Sequence, residues 1–428
     1  MFSKDKKKSY LADEMGLGKT VQVIGFTNLI NPSKILIICP ASLKFNWETE
    51  FKEFSTNNYK VQIIKSNSTK IKDNADVLVV SYGTIAMGVS KYQNINFDLI
   101  VLDESHYIKN FKAKRTKAVV SLESEYKIAM TGTPILNRPA EIYSTVNWLD
   151  SLVLGNRDKF LRRHCSKMVF NSNTLMNVES WGGAHYVEEI GKKLYNSVMI
   201  RRRKTDVLKQ LPPKIRQVIE VEGLKIEAQK RYKNLYEEFS KVEGLISNLQ
   251  KKKKYTQGFF SQIAIDRHKT ALEKVPLCAK YVINLLESRN KIIVFAHHRK
   301  VIENLKEHLQ QKKIGVVNYI GGMTDNEKNI AVQKFRKDDS IKIFIGSIQA
   351  AGVGITLTEA DLVLFLELDY TPGIMLQAED RVHRIGQKKN VLIQYFVFRN
   401  GIDSMIVEML IKKLDINNKL LGDDKKIF

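Results

Sequence analysis

The sequence predicts an α/β protein with two doubly wound parallel sheets and a helical insertion between them. Three observations carry this. Short apolar runs alternate with longer mixed segments in the first third of the chain, the same alternation returns after about residue 290, and helical spacing dominates between.

Taken in order, Tyr10-Leu-Ala12 is a short strand leading into a Gly-rich loop. Lys34-Ile-Leu-Ile-Ile-Cys39, Asp76-Val-Leu-Val-Val-Ser81 and Asp98-Leu-Ile-Val-Leu-Asp103 are continuous apolar runs closed by polar residues. That is how strands covered on both faces of a parallel sheet read. Tyr126-Lys-Ile-Ala-Met130 is a weaker member of the set, and the intervening segments are long enough for crossover helices. From about Asn137 to Val275 strand runs thin out. Leu224 to Gln250 carries apolar residues at three-to-four spacing among Lys and Glu, an amphipathic helix. Lys251-Lys-Lys-Lys254 reads as a solvated loop in preference to a DNA contact, and Leu211-Pro-Pro213 as a helix stop and linker. Strands resume at Lys291–Ala296, Gly315–Tyr319, Lys342–Gly346, Leu362–Glu367 and Val391–Val397, and Gly401 to Phe428 is a helix with a frayed, charged end. The expected division is therefore 1–150, 151–275, 276–400 and 401–428.

Composition narrows the function classes. The 428 residues are 43% hydrophobic and 27% charged, which excludes wholesale disorder. Lys and Arg number 69 against 46 Asp and Glu, a net charge of +23 that favours a polyanionic partner through counterion release. Three scattered cysteines form no CxxC and no disulfide framework, so a reducing compartment is expected. Met1 to Tyr10 has no apolar stretch of a secretory signal, and no apolar run approaches the ~18 residues of a membrane span.

The strongest local signal is Asp13-Glu-Met-Gly-Leu-Gly-Lys-Thr20, a phosphate-binding loop with Asp13 in place of the first Gly. Gly16 and Gly18 permit torsions that aim N–H groups at phosphate oxygens, with Leu17 between them. Lys19 reaches the β- and γ-phosphates, and Thr20 offers a hydroxyl to Mg2+ at a helix N-terminus. Asp103-Glu-Ser-His106 closes an apolar strand, where open α/β sheets bind ligands. Asp103 suits Mg2+ through water, and Glu104 suits activation of the attacking water. Together the two motifs say nucleotide hydrolysis. In the second domain Gln377, Arg381 and Arg384 fall at i, i+4 and i+7, one helix face that would present two arginine fingers to a γ-phosphate across a cleft.

With these motifs in order, the chain resembles the Swi/Snf-type ATPases of helicase superfamily two, which have two RecA-like lobes. Leu11–Thr20 resembles their first motif, Pro40-Ala-Ser-Leu-Lys-Phe-Asn-Trp47 the next, and Asp103–His106 the DExH box. Thr131-Gly-Thr-Pro134, Gln349–Thr358 and Gln377–Gln387 resemble the third, fifth and sixth. Met199–Leu208 followed by Leu211-Pro-Pro-Lys214 looks like the family's inter-lobe signature, and the likeness runs from residue 10 to about 410. Asp103–Asn110, Phe295-Ala-His-His298 and Phe160–Cys165 point to the subgroup of annealing helicases and fork-remodelling translocases.

The resemblance implies an ATP-dependent translocase on double-stranded or forked DNA, without sequence specificity, that remodels or reanneals it. The cofactors would be ATP and Mg2+. Glu104, Arg381 and Arg384 would be catalytic. Gly16, Leu17, Gly18, Lys19, Thr20, Gly352 and Gln377 would bind ATP, with Thr20 and Asp103 at the metal. His106, Thr131 and Thr133 would couple the ATP and DNA sites. Ser42, Lys44, Lys109, Thr324, Ser347 and Thr356 lie in or beside motifs that face DNA in relatives; taken singly, each reads almost equally as a cap or a solvated Lys. A monomeric motor is expected, with a protein partner supplying targeting and no membrane. Its place would be intracellular: nuclear in a eukaryote, otherwise cytoplasmic or viral. A strand-separating helicase on DNA or RNA, and a truncated DNA-binding scaffold with weak ATPase activity, are the alternatives. Two departures matter. The ten residues before Leu11 are too few for the Gln-bearing segment with which relatives recognise adenine. Tyr370-Thr-Pro372 stands where relatives often have Trp-Asn-Pro.

Overall fold

The computed structural model describes residues 6–171, 177–244, 256–351 and 354–423. The chain forms two compact units. Unit 1 comprises Met1–Ser166, Trp181–Lys209 and Ile416–Asp423; unit 2 comprises Lys167–Ser180, Gln210–Asp415 and Asp424–Phe428.

Unit 1 is built on a parallel sheet of seven strands. In chain order these are β1 (Lys8–Leu11), β2 (Ile35–Cys39), β3 (Val61–Ile63), β4 (Val77–Ser81), β5 (Phe97–Asp103) and β6 (Ser124–Met130). A two-stranded pair, β7 (Ser166–Asn171) and β8 (Asn177–Gly182), precedes the seventh, β9 (Met199–Ile200). The spatial order is β3-β4-β2-β5-β6-β1-β9. The continuous apolar runs are explained by burial on both faces. Leu36 and Ile38 of β2 enter one core cluster, while Ile35, Ile37 and Cys39 enter the other. The register places Leu11 and Asp103 each beside Met130, so the loops that follow β1, β5 and β6 leave the sheet from adjacent points.

Unit 2 repeats the layout with β10 (Lys214–Val221), β11 (Ile292–Ala296), β12 (Gly315–Tyr319), β13 (Ile341–Ser347), β14 (Leu362–Phe365) and β15 (Val391–Phe398). All pairings are parallel, in the order β10-β15-β14-β11-β13-β12. Ile293 and Phe295 face one core, and Ile292, Val294 and Ala296 the other.

The fold therefore has the two parallel-sheet α/β lobes that the sequence predicts, but its elements divide differently. The stretch 151–275 also supplies a strand to each of these sheets: β9 completes the sheet of unit 1, and β10 joins the sheet of unit 2. Two residues are too few to show a strand period. β10 mixes Lys, Arg, Gln and Glu with apolar residues; among the described residues it is an edge strand, paired with β15 alone and partly exposed along its length. The final helix runs Ile402–Leu421, and the stretch Ile416–Asp423, its last turns and the two residues after it, belongs to unit 1. The amphipathic helix predicted from Leu224 is found at Ile226–Gly244; Lys251–Lys254 lie outside the described residues. Cys39, Cys165 and Cys278 are free and buried. Among the described residues no helix is long and apolar enough to cross a membrane.

Candidate nucleotide site

The loop after β1 turns on two glycines in the left-handed region, Gly16 at φ +81° and Gly18 at φ +69°. Such torsions cost any residue with a Cβ. Gly18 starts the helix Lys19–Ile30, so the loop's N–H groups and the helix N-terminus converge, and Leu17 and Thr20 are half-buried beside them. The Lys19 ammonium is held at the loop mouth by the carbonyls of Asp13 (2.9 Å) and Glu14 (3.1 Å). Burial lowers its pKa to about 8, against the opposing pull of Glu104, Asp13 and Asp103.

Asp103 ends β5 with its carboxylate accepting a 2.9 Å bond from the Trp47 indole N–H, while Tyr82 donates to its carbonyl at 2.8 Å. Burial, then the charge of Glu104, raises Asp103 to about 7. Glu104 itself sits at φ +50°, a strained position for a residue with a Cβ. Its carboxylate accepts the Thr131 hydroxyl at 2.8 Å and lies 3.3 Å from His106 Nδ1. Burial pushes Glu104 up, but the bond and charge of His106, with Lys19 and Thr131, outweigh it and hold Glu104 down to about 2. The two adjacent carboxylates are thus driven apart, one toward proton uptake and one firmly anionic. Thr131 is the hub: its hydroxyl lies 3.2 Å from His106 Nδ1 and accepts the Thr133 backbone N–H at 3.1 Å. The turn that carries it is tied back to the first loop, since Thr131 N donates to Leu11 O at 3.1 Å. A Cβ on Gly132 would lie 2.4 Å from Met15 Cγ and 3.1 Å from Met15 N, so only glycine allows this approach.

In unit 2 the predicted helical face is corrected. The helix Pro372–Glu379 carries buried Gln377 but stops before both arginines. The chain leaves the helix because its carbonyls find partners elsewhere: Arg381 O accepts from Leu357 N (2.9 Å), and Val382 O shares the Gln387 side-chain amide with Ala360 O. Arg381 and Arg384 still converge. Arg381 Nε bonds Gln377 O (3.1 Å), and Arg384 Nη1 bonds Ile355 O (3.2 Å) and Thr356 Oγ1 (2.9 Å), with Arg381 Nη1 3.5 Å from the same Ile355 carbonyl. Gly352 lies outside the described residues.

The proposed DNA residues are divided between the units, Ser42, Lys44 and Lys109 in unit 1 and Thr324, Ser347 and Thr356 in unit 2. Ser42 is exposed on the turn Ala41–Leu43. Lys44 is buried, and its ammonium donates to Ile64 O at 3.2 Å. Lys109 pairs with Glu141 at 3.1 Å. Thr324 caps the helix Asp325–Lys337 in a capping box with Glu327, and Thr356 accepts from Arg384. Ser347 is half-buried at the end of β13. Residues that sequence reasoning did not assign also build the site: Trp47, Tyr82 and Gly132. Trp47 stands inside a quoted motif, and Gly132 between two coupling threonines; those were the available signals.

Similarity to known proteins places the chain in a family. A model of the SNF2-related domain matches residues 2–275, and one of the helicase conserved C-terminal domain matches 273–386. The chain is 32% identical over 416 residues to the SWI/SNF-related matrix-associated actin-dependent regulator of chromatin subfamily A-like protein 1 homolog of Caenorhabditis elegans, covering 95% of this chain and 58% of that protein. It is 31% identical over 442 residues to the human DNA annealing helicase and endonuclease ZRANB3, covering 97% and 39%. The chain thus spans about half the length of the curated relatives it matches. A solved Sulfolobus solfataricus SWI2/SNF2 ATPase core in complex with dsDNA matches with a TM-score of 0.44 and 25% identity, over 92% of this chain and 84% of that one. The chain belongs to the SNF2-related family of helicase-like ATPases.

Proposed function

We propose that this chain is an ATP-dependent translocase on double-stranded DNA that spends ATP hydrolysis on remodelling or reannealing the duplex without reading its sequence. The observation that carries the proposal is the arrangement at the ends of β1, β5 and β6. A phosphate loop with a Lys, a buried Asp and an anionic Glu oriented by Thr131 and His106 start from neighbouring strands. The donor set fits Mg–ATP: one carboxylate and one hydroxyl, Asp103 and Thr20, suit a cation that takes its remaining ligands from phosphate and water. When bound, Mg2+ would neutralise developing charge on the β- and γ-phosphates. Lys19 would exchange its two carbonyl partners for phosphate oxygens. Glu104, kept ionised, would orient a water and take its proton. Arg381 and Arg384 are proposed to meet the γ-phosphate charge as arginine fingers, with Gly352 and Gln377 at the nucleotide. His106, Thr131 and Thr133 would carry the state of that site toward DNA.

The DNA part of the proposal rests on the +23 charge and on relatives named for DNA annealing and chromatin regulation. Ser42, Lys109, Ser347 and Thr356 remain proposed backbone contacts, and Thr324 through its exposed cap. A chain using ATP and DNA in this way would work inside the cell. The test is ATP turnover with no DNA, single-stranded, duplex and forked DNA, together with triplex displacement. Duplex or forked DNA should raise turnover, and Lys19→Ala should abolish it. No stimulation by any DNA sinks the proposal. Strand displacement from a tailed duplex without triplex displacement replaces it with a strand-separating helicase.

A further inference from the structure

The segment Met199–Lys204, which resembles an inter-lobe signature, makes contacts of another kind within unit 1. β9 pairs with β1 at Tyr10↔Met199 and Leu11↔Ile200. Beyond the strands the two chains continue together, with Ala12 N donating to Ile200 O (2.8 Å) and Glu14 N to Arg202 O (3.1 Å). Side chains then fasten the start of the phosphate loop. Arg202 donates its backbone N–H to Asp13 Oδ1 at 2.8 Å, and its guanidinium bonds both Asp13 oxygens and the Gln22 side-chain carbonyl. Gln22 Nε2 completes the set on Asp13 at 3.1 Å, and Lys204 N donates to the Glu14 carboxylate.

Arg201 grips the neighbouring residue. Its Nη1 donates to Ala12 O at 2.6 Å, while Nε and Nη2 donate to Asp423. Both partners of this ion pair are almost sealed from solvent, with side chains 2% and 3% exposed. Asp423 is there because Ile416–Asp423 is built into unit 1. Leu420 and Leu421 join its core, Tyr195 donates to Leu421 O at 2.8 Å, and Asn417 Nδ2 to Ile135 O at 3.2 Å. A Cβ on Gly191 would lie 2.2 Å from Leu420 O, so the packing there is close.

We propose that Arg201 and Arg202 are positioning residues of the nucleotide site, which fix Ala12–Glu14, and that Asp423 is the counter-ion that fixes Arg201. Asp13 stands where the phosphate-loop pattern has glycine, and a buried carboxylate at that place is tolerable only when paired. Arg202 supplies the pair. The consequence reaches Lys19 directly, because its ammonium rests on the carbonyls of Asp13 and Glu14, the two residues that the clamp holds. The aim of Lys19 at a phosphate is thereby set from the segment after β9 and from Asp423.

The effect on nucleotide rests on the proposed ATPase reading; the clamp itself does not, and the test separates them. Hydrogen exchange is followed without nucleotide in the wild type, Asp423→Asn and Arg202→Lys, and the steady-state KM and kcat for ATP are measured on the same proteins. Amides of residues 12–19 should exchange about tenfold faster in both variants while those of β5 and unit 2 keep their rates, since each variant loses a charge-assisted bond. KM for ATP should rise about tenfold with kcat changed far less. Unchanged exchange at the loop in both variants overturns the clamp, as does acceleration spread evenly over unit 1, which would mark a merely structural ion pair. Should Asp423→Asn fail to fold, Asp423→Glu, which keeps the charge, is read with Arg202→Lys by the same criterion. A loosened loop in a protein that never turns over ATP supports the clamp and refutes the ATPase reading.

Discussion

The two units carry charged residues in opposite ways. In unit 1 the reactive side chains bond one another: Thr131 to Glu104, His106 to both, Trp47 to Asp103. In unit 2 Arg381 and Arg384 bond the backbone carbonyls of Gln377 and Ile355 and the Thr356 hydroxyl. Unit 2 has deeply buried ion pairs of its own. Glu379 is held by Lys214 (2.8 Å) and Arg216 (2.7 Å), and Lys274 pairs with Asp403 at 2.9 Å with both side chains almost fully buried. The difference teaches that unit 1 is preorganised around its carboxylates, whereas the described contacts of Arg381 and Arg384 include backbone carbonyls and a hydroxyl. Bonds of that kind are exchanged for phosphate oxygens at lower cost than an ion pair.

The sharpest way to break that comparison is Arg384→Ala. If the guanidinium serves the γ-phosphate, DNA-stimulated turnover falls by about 10³-fold with nucleotide affinity nearly kept; a minor fall would make Arg384 a loop tie for Ile355 and Thr356. Next, Glu104→Gln should cut turnover by about 10²-fold or more while ATP still binds, as read by single-turnover kinetics and nucleotide titration. A smaller effect, about tenfold in kcat, is expected for Thr131→Val, which removes the hydroxyl that orients Glu104 but leaves His106. Trp47→Phe should leave kcat at saturating Mg2+ close to wild type and raise the Mg2+ needed for half-maximal turnover about tenfold, because the indole orients Asp103 from behind. Smallest in its effect on chemistry, Lys274→Met strands the buried Asp403 carboxylate. Denaturant titration should show unit 2 weakened by about 3–5 kcal/mol while ATP affinity stays unchanged.

Much of this was legible in the sequence. The strands buried on both faces announced themselves as unbroken apolar runs, and Gly16, Gly18, Lys19, Asp103 and Glu104 were found because phosphate and metal chemistry demands those residue types at that spacing. The likeness to annealing-helicase relatives was equally readable, and the matched proteins bear it out. What escaped shares a cause: it depends on contacts far apart in the chain. β9 and β10 are strands only because β1 and β15 lie open to pair with them. The bond from Lys44 to Ile64 O joins residues twenty positions apart. Thr324 caps the helix Asp325–Lys337.

The amino-acid sequence by itself determined the α/β class, the two lobes and the reactive groups, because periodicity and motif spacing are local properties. Only the tertiary structure decided how those groups are held. It put Arg381 and Arg384 on turns in place of a helix face, drove Asp103 and Glu104 to opposite protonation tendencies, and brought Asp423 to Arg201 across more than two hundred residues. Burial and the geometry of charge pairs are properties of the assembled fold, and no window of sequence contains them.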